Sequence, residues 1–193
     1  MMIEPAAPFR SEPPVLIVGA GVAGLRAALA CPAPAILLTG APLGEGTSTG
    51  WAQGGVAAAL GADDEPRRHA ADTIRAGAGL VGAAAAHVLA EEGPGEVEAL
   101  RALGAPFERE AGGVWSLSRE AAHSVARVAR VKGDQAGAGM LAALIKAVKA
   151  APHVEIREGW RAEALLPARG EGCSGVLARD AAGARIPVPA RAT

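Results

Sequence analysis

The sequence predicts an α/β domain, a parallel sheet followed by an antiparallel meander, and three observations carry that prediction. The segment PVLIVGAGVAGLRAALA opens as a short β-branched apolar run, breaks into glycines and continues in a helical pattern. A second apolar run, APAILLTG, follows a helix of the right length for a βαβ crossover, which makes it a parallel neighbour of the first. From His153 the pattern changes to extended runs separated by Gly-containing turns, as a meander requires.

The elements follow in order. Residues 1–14, MMIEPAAPFRSEPP, hold Pro, Glu and Arg but no apolar h-region, so they read as a flexible leader and not as a signal peptide. After the strand, turn, helix and second strand comes STGWAQGGVAAAL, in which a glycine-rich loop leads into an alanine run expected to form a small-residue helix behind the loop. DDEPRRHAADTIRAG reads as a helix capped by Asp63 or Asp64, with Pro66 in its first turn and Gly77 past its end. AAAAHVLAEEG and GEVEALRALG read as two short helices, each stopped by glycine. APFEREAGGVWSLSRE carries a glycine pair between extended runs and predicts a hairpin or loop. Asp134 is expected to cap a helix over QAGAGMLAALIKAVKA, whose Met140, Leu141, Leu144, Ile145 and Val148 recur at helical spacing. HVEIREGWRAEALLP, GCSGVLARD and ARIPVPARAT supply the three strands of the meander.

Composition narrows the function classes. The 193 residues are 50% hydrophobic and 20% charged, the balance of a globular chain. A formal net charge of -1 gives no electrostatic case for nucleic acid or an anionic membrane as main partner. No apolar run is long enough to span a bilayer. Cys31 and Cys173 lie too far apart for a ligand pair, which argues against a zinc site or a disulfide framework and for a reducing, cytoplasmic setting.

Gly19, Gly21 and Gly24, with Ala20, Val22 and Ala23 between them, form G-x-G-x-x-G directly after a strand and at the head of a helix. The first glycine permits a sharp turn, the second lets backbone approach a pyrophosphate, and the third lets helix and strand pack closely. The helix N-terminus adds N–H donors and a positive dipole end. The fold is therefore Rossmann-like and dinucleotide-binding. The acidic residue expected at the end of the second strand, for a ribose hydroxyl, is replaced by Thr39 and then Gly40. Thr39 offers a weaker hydroxyl contact, and the substitution argues for FAD, or a different ribose contact, over a generic NAD enzyme.

With this cradle, STGWAQGGVAAAL, HAADTIRAGAGL and SREAAHSVARV in that order, the chain resembles the L-aspartate oxidase family. The resemblance runs through most of residues 15–193 and marks them as the N-terminal part of an incomplete, Rossmann-like FAD-binding domain. It implies FAD as cofactor, L-aspartate as substrate and oxygen or fumarate as electron acceptor, in the first step of de novo NAD biosynthesis. Quinolinate synthase is the implied downstream partner. Ser48, Thr49, Gly50, Trp51, Ala52, Gln53, Gly54 and Gly55 are implied to form a loop around the flavin, with Gly54 and Gly55 giving backbone access to the ring. The sibling family, the flavoprotein subunit of succinate dehydrogenase and fumarate reductase, often holds flavin covalently through a histidine six residues before the first glycine of the pair. Here that position is Ser48, so FAD is expected to be non-covalent.

Glu120 is implied to orient the substrate through its amino group, since a carboxylate accepts from an ammonium; a solvated Glu120 paired with Arg119 or Arg127 is the structural alternative. His123 and Ser124 are candidate pocket residues. His69, Asp72 and Thr73 share a helix face and are read as a structural hydrogen-bonded surface, not a metal site. Gly40 stands where the family commonly has a lysine, with loss of one phosphate or ribose contact. The main catalytic arginine is implied to lie beyond Thr193, so the 193-residue chain alone is expected not to turn over aspartate. A succinate or fumarate flavoprotein and a non-catalytic nucleotide-binding module remain as alternatives.

Overall fold

The computed structural model describes residues 13–131, 133, 135–168 and 172–193. Almost all of the expected leader and the expected cap Asp134 lie outside them. In chain order the elements are β1 (Val15–Val18), α1 (Val22–Ala30), β2 (Ala35–Thr39), a 3-10 turn (Ser48–Trp51), β3 (Gly55–Ala57), α2 (Pro66–Ala76), α3 (Ala83–Ala102), β4 (Leu117–Ser118), β5 (Val128–Arg130), α4 (Ala136–Ala150), β6 (Val154–Glu158), β7 (Arg161–Pro167), β8 (Cys173–Arg179) and β9 (Arg185–Pro189). The chain divides into two compact units, Met1–Gly46 with Val148–Thr193, and Thr47–Ala147.

The first unit carries the parallel sheet, in order β1-β2-β6. The central strand β2 is buried at every position, which is why it reads as an unbroken apolar run and not as an alternation. Its register pairs Ala35 with Val15 on one side and with Val154 on the other. The run expected as the first strand of the meander is split at Gly159, whose φ of +74° only glycine adopts freely. Its first half becomes β6 and joins β2 in parallel, while the meander proper is β7-β8-β9. Leu16, Ile36 and Leu38 of the sheet bury against Val176, Ala178, Val188 and Ala190, with Trp160 and Ala162 partly covered beside them. The segment after β9 returns to β1, where the Leu16 amide donates to the Ala192 carbonyl at 2.8 Å.

The second unit differs from the sequence expectation in three places. The alanine run after the glycine pair is not a helix: Gly55–Ala57 forms β3, antiparallel to β5, which also pairs with β4. The strand takes Gly55 and Val56, poor helix formers, with only the first alanine of the run, and so brief a run cannot nucleate a helix of its own. Glu65, and not Asp63 or Asp64, is the N-cap of α2, and no side chain makes a capping bond; Pro66 and Gly77 fall at the start and the end as expected. The two short helices are one, the 20-residue α3, which runs through Gly93, Pro94 and Gly95. Its buried residues Ala86, Ala90, Val97 and Leu100 lie on one continuous face across that interruption. Packing along that face outweighs three poor helix formers. The glycine pair Gly112–Gly113 closes a hairpin in which the Glu110 amide donates to the Val114 carbonyl at 2.8 Å.

Candidate functional site

In the first unit, β1 delivers the chain into the glycine-rich turn. Gly19 has φ of +104°, and its amide is tied to the Leu38 carbonyl at 2.8 Å, so it shapes the turn and donates to β2. A Cβ on Gly24 would lie 1.9 Å from the Gly19 carbonyl oxygen, which no larger residue could avoid. Ala20 is buried, Gly21 is the extended N-cap of α1, and Val22 and Ala23 begin its first turn. Neither a side-chain cap nor an acidic residue neutralises that helix end. The Leu25 amide is the first to bond back within the helix, to the Gly21 carbonyl at 3.0 Å, and the Ala23 and Gly24 amides ahead of it lie at the positive end of the helix dipole. These residues fit a pyrophosphate by shape and by charge.

At the end of β2 the Thr39 hydroxyl donates to the Ala41 carbonyl at 2.9 Å, and the residue is only 5% exposed. Only oxygen lone pairs remain there for a ribose. Sequence reasoning looked for the acid on β2 and passed over the neighbouring strand. Glu158 is in register with Thr39, and its Oε1 accepts the Leu43 amide at 2.7 Å. It brings a carboxylate to the strand end where Thr39 has none.

In the second unit, Ser48–Trp51 turns once as a 3-10 helix, closed by the Ala52 amide on the Thr49 carbonyl at 3.1 Å. Thr49 is buried, whereas Ser48, Gly50, Ala52 and Gln53 are exposed and Trp51 is 85% exposed. α4 supports this loop from behind. The Gly137 amide donates to the Ala52 carbonyl at 3.1 Å, and a Cβ on Gly137 would lie 1.9 Å from the Thr49 carbonyl oxygen. The sequence reading missed Gly137; its signal was the repeated glycine in AGAG, where a good helix would carry alanine. Gly54, at φ +76°, holds its bare face against Glu120, whose Oε1 would be 3.4 Å from a Cβ there. Gly55 has a reason of its own in the sheet. A Cβ on it would lie 2.3 Å from the Ala129 carbonyl oxygen, so the close approach to β5 by itself demands a glycine here.

Glu120 is exposed and pairs with neither arginine proposed for it. Arg119 Nε donates to the His123 carbonyl at 2.9 Å, and Arg127 is committed elsewhere. The His123 amide donates to the Glu120 carbonyl at 3.0 Å, closing a tight turn.

Behind that turn is a buried polar cluster that the sequence only hinted at. Arg127, at 0% exposure, donates from Nε and Nη2 to the two Asp64 oxygens, each at 3.0 Å. Its Nη1 lies 3.0 Å from Asp72 Oδ2, an ion-pair contact without hydrogen-bond geometry. Asp72 Oδ2 accepts from the Ser124 amide at 2.7 Å and from its hydroxyl at 2.8 Å, and Oδ1 accepts from Arg75. Burial pushes the Asp72 carboxyl up, but the Ser124 donors, Arg75 and Arg127 overcome it and hold the group well below the ordinary carboxylate range. His69 is lowered by burial first, then by Arg127 and His123, against partial opposition from Asp64 and Asp72. The His69 and His123 rings meet edge to face at 5.6 Å, and the Thr73 hydroxyl donates to the His69 carbonyl. The structure thus joins His69, Asp72, Thr73, His123 and Ser124 in one network. Of the remaining histidines, His87 is exposed and His153 Nε2 lies 3.1 Å from the Ala28 carbonyl.

Among the described residues, no helix is long and apolar enough to cross a membrane. A family model described as FAD binding domain matches residues 14–192. The L-aspartate oxidase of Caulobacter vibrioides is 53% identical over 181 residues, 92% of this chain and 35% of its own length. That of Streptomyces coelicolor is 48% identical over 139 residues, 70% of this chain and 24% of its own. The chain therefore spans about a third or less of the length of these curated relatives. Among solved structures, a quinol-fumarate reductase with menaquinol molecules superposes with a TM-score of 0.84 at 25% identity, over 92% of this chain and 31% of that one. The open conformation of a flavocytochrome c3 fumarate reductase gives 0.82 at 26% identity, over 94% and 33%.

Proposed function

The chain belongs to the FAD binding domain family, and on that premise we propose that it is the nucleotide-binding portion of an L-aspartate oxidase. The observation that carries the reading is the agreement of the curated relatives, at up to 53% identity, with an exposed Glu120 carboxylate that among the described residues pairs with neither Arg119 nor Arg127. FAD, when bound, supplies the acceptor for the hydride lost from substrate. In the first unit, Gly19 to Gly24 hold the pyrophosphate on the α1 amides. In the second, the exposed face of Ser48 to Gly54 receives the flavin, with Thr49 and Gly55 as structural members of the loop. Glu120 accepts from the ammonium of L-aspartate and so orients the carbon that is oxidised to the imine. Ser48 gives no imidazole for a covalent bond, so acid denaturation releases the flavin into solution.

The setting is cytoplasmic, the electron acceptor is oxygen or fumarate, and the product passes to quinolinate synthase. The 193-residue chain alone does not turn over aspartate. Assay of the full-length protein with L-aspartate and with succinate tests the reading: oxidation of aspartate with release of peroxide, or with reduction of fumarate, is expected. Oxidation of succinate with aspartate left untouched would move the protein to the sibling family. Aspartate-dependent peroxide from the 193-residue chain would refute the division of labour proposed for it.

A further inference from the structure

We propose that Asp72 and Ser124 are positioning residues that set substrate discrimination by fixing the turn that presents Glu120. The inference rests on the reading of Glu120 as the acceptor of the substrate ammonium. Glu120 lies on a four-residue turn closed by the His123 amide on its own carbonyl at 3.0 Å and braced by Arg119 on the His123 carbonyl at 2.9 Å. The turn is exposed along its outer side, and a four-residue turn has little packing of its own to hold a carboxylate in one place. What fastens it is the next residue. The Ser124 amide and hydroxyl both donate to one oxygen of Asp72, at 2.7 and 2.8 Å.

Asp72 is itself buried and bonded through both oxygens. It is buried on α2, held by Arg75 on its other oxygen and faced by the fully buried Arg127, which Asp64 clamps in turn through two 3.0 Å bonds. A buried ion cluster therefore ends in one charge-assisted clamp on the turn. At the far side of the turn, the Glu120 carboxylate sits against the bare backbone of Gly54. A shift of the turn moves the one carboxylate that the proposed function assigns to the substrate ammonium. Loss of the clamp should then weaken recognition of the amino group and spare recognition of the dicarboxylate.

Succinate, the same dicarboxylate without the amino group, separates the two effects. In the full-length protein, the ratio of KM for L-aspartate to Ki for succinate is measured for the wild type, Ser124→Ala, Asp72→Asn, Glu120→Gln and the Glu120→Gln/Ser124→Ala double variant. Ser124→Ala and Asp72→Asn are each expected to raise that ratio about tenfold, in the direction of Glu120→Gln. Added to Glu120→Gln, the serine change should contribute less than about twofold, because the group it positions has lost its charge. A merely structural role would weaken both ligands together and leave the ratio still. Where Asp72→Asn does not fold, Ser124→Ala decides alone, since it removes one hydroxyl from an exposed residue. A ratio unchanged within about twofold, or effects of Glu120→Gln and Ser124→Ala that multiply, overturns the proposal. A wild-type protein that binds succinate but does not oxidise aspartate overturns the functional reading itself, and the positioning role with it.

Discussion

Arg127 is surrounded by Asp64 and Asp72 and has no access to water. Its removal strips the buried Asp64 carboxylate of the Arg127 counter-charge and leaves Asp72 with Arg75 alone, the costly way to break an ion cluster. Arg127→Met is expected to lower stability by about 3–5 kcal/mol, read as a shift in urea midpoint at constant slope. The same cluster makes stability depend on pH with a defined sign. His69 is lowered in the folded state, so below its ordinary value of about 6.5 the unfolded chain binds the proton first. Stability from this group is complete above about pH 6.5 and declines as pH falls from there toward the folded value. His69→Gln should flatten the slope of unfolding free energy below about pH 6.5, and an unchanged slope would place the titration elsewhere. Asp72, depressed in the folded state, acts lower down: its contribution is present above about pH 4 and is lost as pH falls through its folded value. None of this was legible as a network. Arg127 sits in SVARVARV between apolar neighbours, and a sequence has no means of showing that Asp64 and Asp72, about sixty residues away, close around it. Gly19 and Gly24 were legible because their reasons are local, whereas Gly55 and Gly137 answer to Ala129 and Thr49, which only the folded chain brings near.

Helix α3 shows where local punctuation and long-range packing disagree. Gly93, Pro94 and Gly95 are strong stop signals, and Pro94 cannot donate to the carbonyl one turn earlier. Yet the spacing of Ala86, Ala90, Val97 and Leu100 keeps one face buried on both sides of the interruption, a period visible in the sequence once the two halves are read together. The helix should then tolerate repair. Gly95 has helical backbone and nothing within 4 Å of a Cβ, so Gly95→Ala is expected to raise stability by about 0.5–1 kcal/mol. The same change at Gly55, a strand position whose Cβ would meet the Ala129 carbonyl at 2.3 Å, should lower it. Thermal unfolding of the two variants side by side checks the contrast; equal signs would mean that strand β3 gives way at little cost. At β3 the pull is the reverse: the alanine run begins only at Ala57, while Gly55 and Val56 ahead of it are poor helix formers, and pairing with β5 takes Gly55–Ala57 into a strand.

On the scale of the whole molecule, the parallel sheet is completed late. β2 waits for β6, whose residues follow it by more than a hundred positions, and the apolar cover over Ile36 and Leu38 comes from Val176, Ala178 and Val188 of the meander. The βαβ pattern at the start of the chain foretold β1, α1 and β2, and the extended runs at the end foretold strands. The allocation of β6 to the first sheet was not legible, because the run containing it continues into β7 with only Gly159 to mark the change of partner. One consequence is a long loop to close before the nucleotide cradle has a stable sheet beneath it. A chain ended at Ala147 keeps the whole of the second unit but strips β6 from one side of β2 and opens the Leu16–Ile36–Leu38 core to water. Such a chain is expected to retain helical far-UV signal from α2 and α3 while amides of β1 and β2 lose protection from hydrogen exchange and FAD affinity disappears. Protected β1 and β2 amides in the shortened chain would show that the βαβ unit stands without its third strand. The cradle would then be a local structure, and not one that depends on the return of the chain.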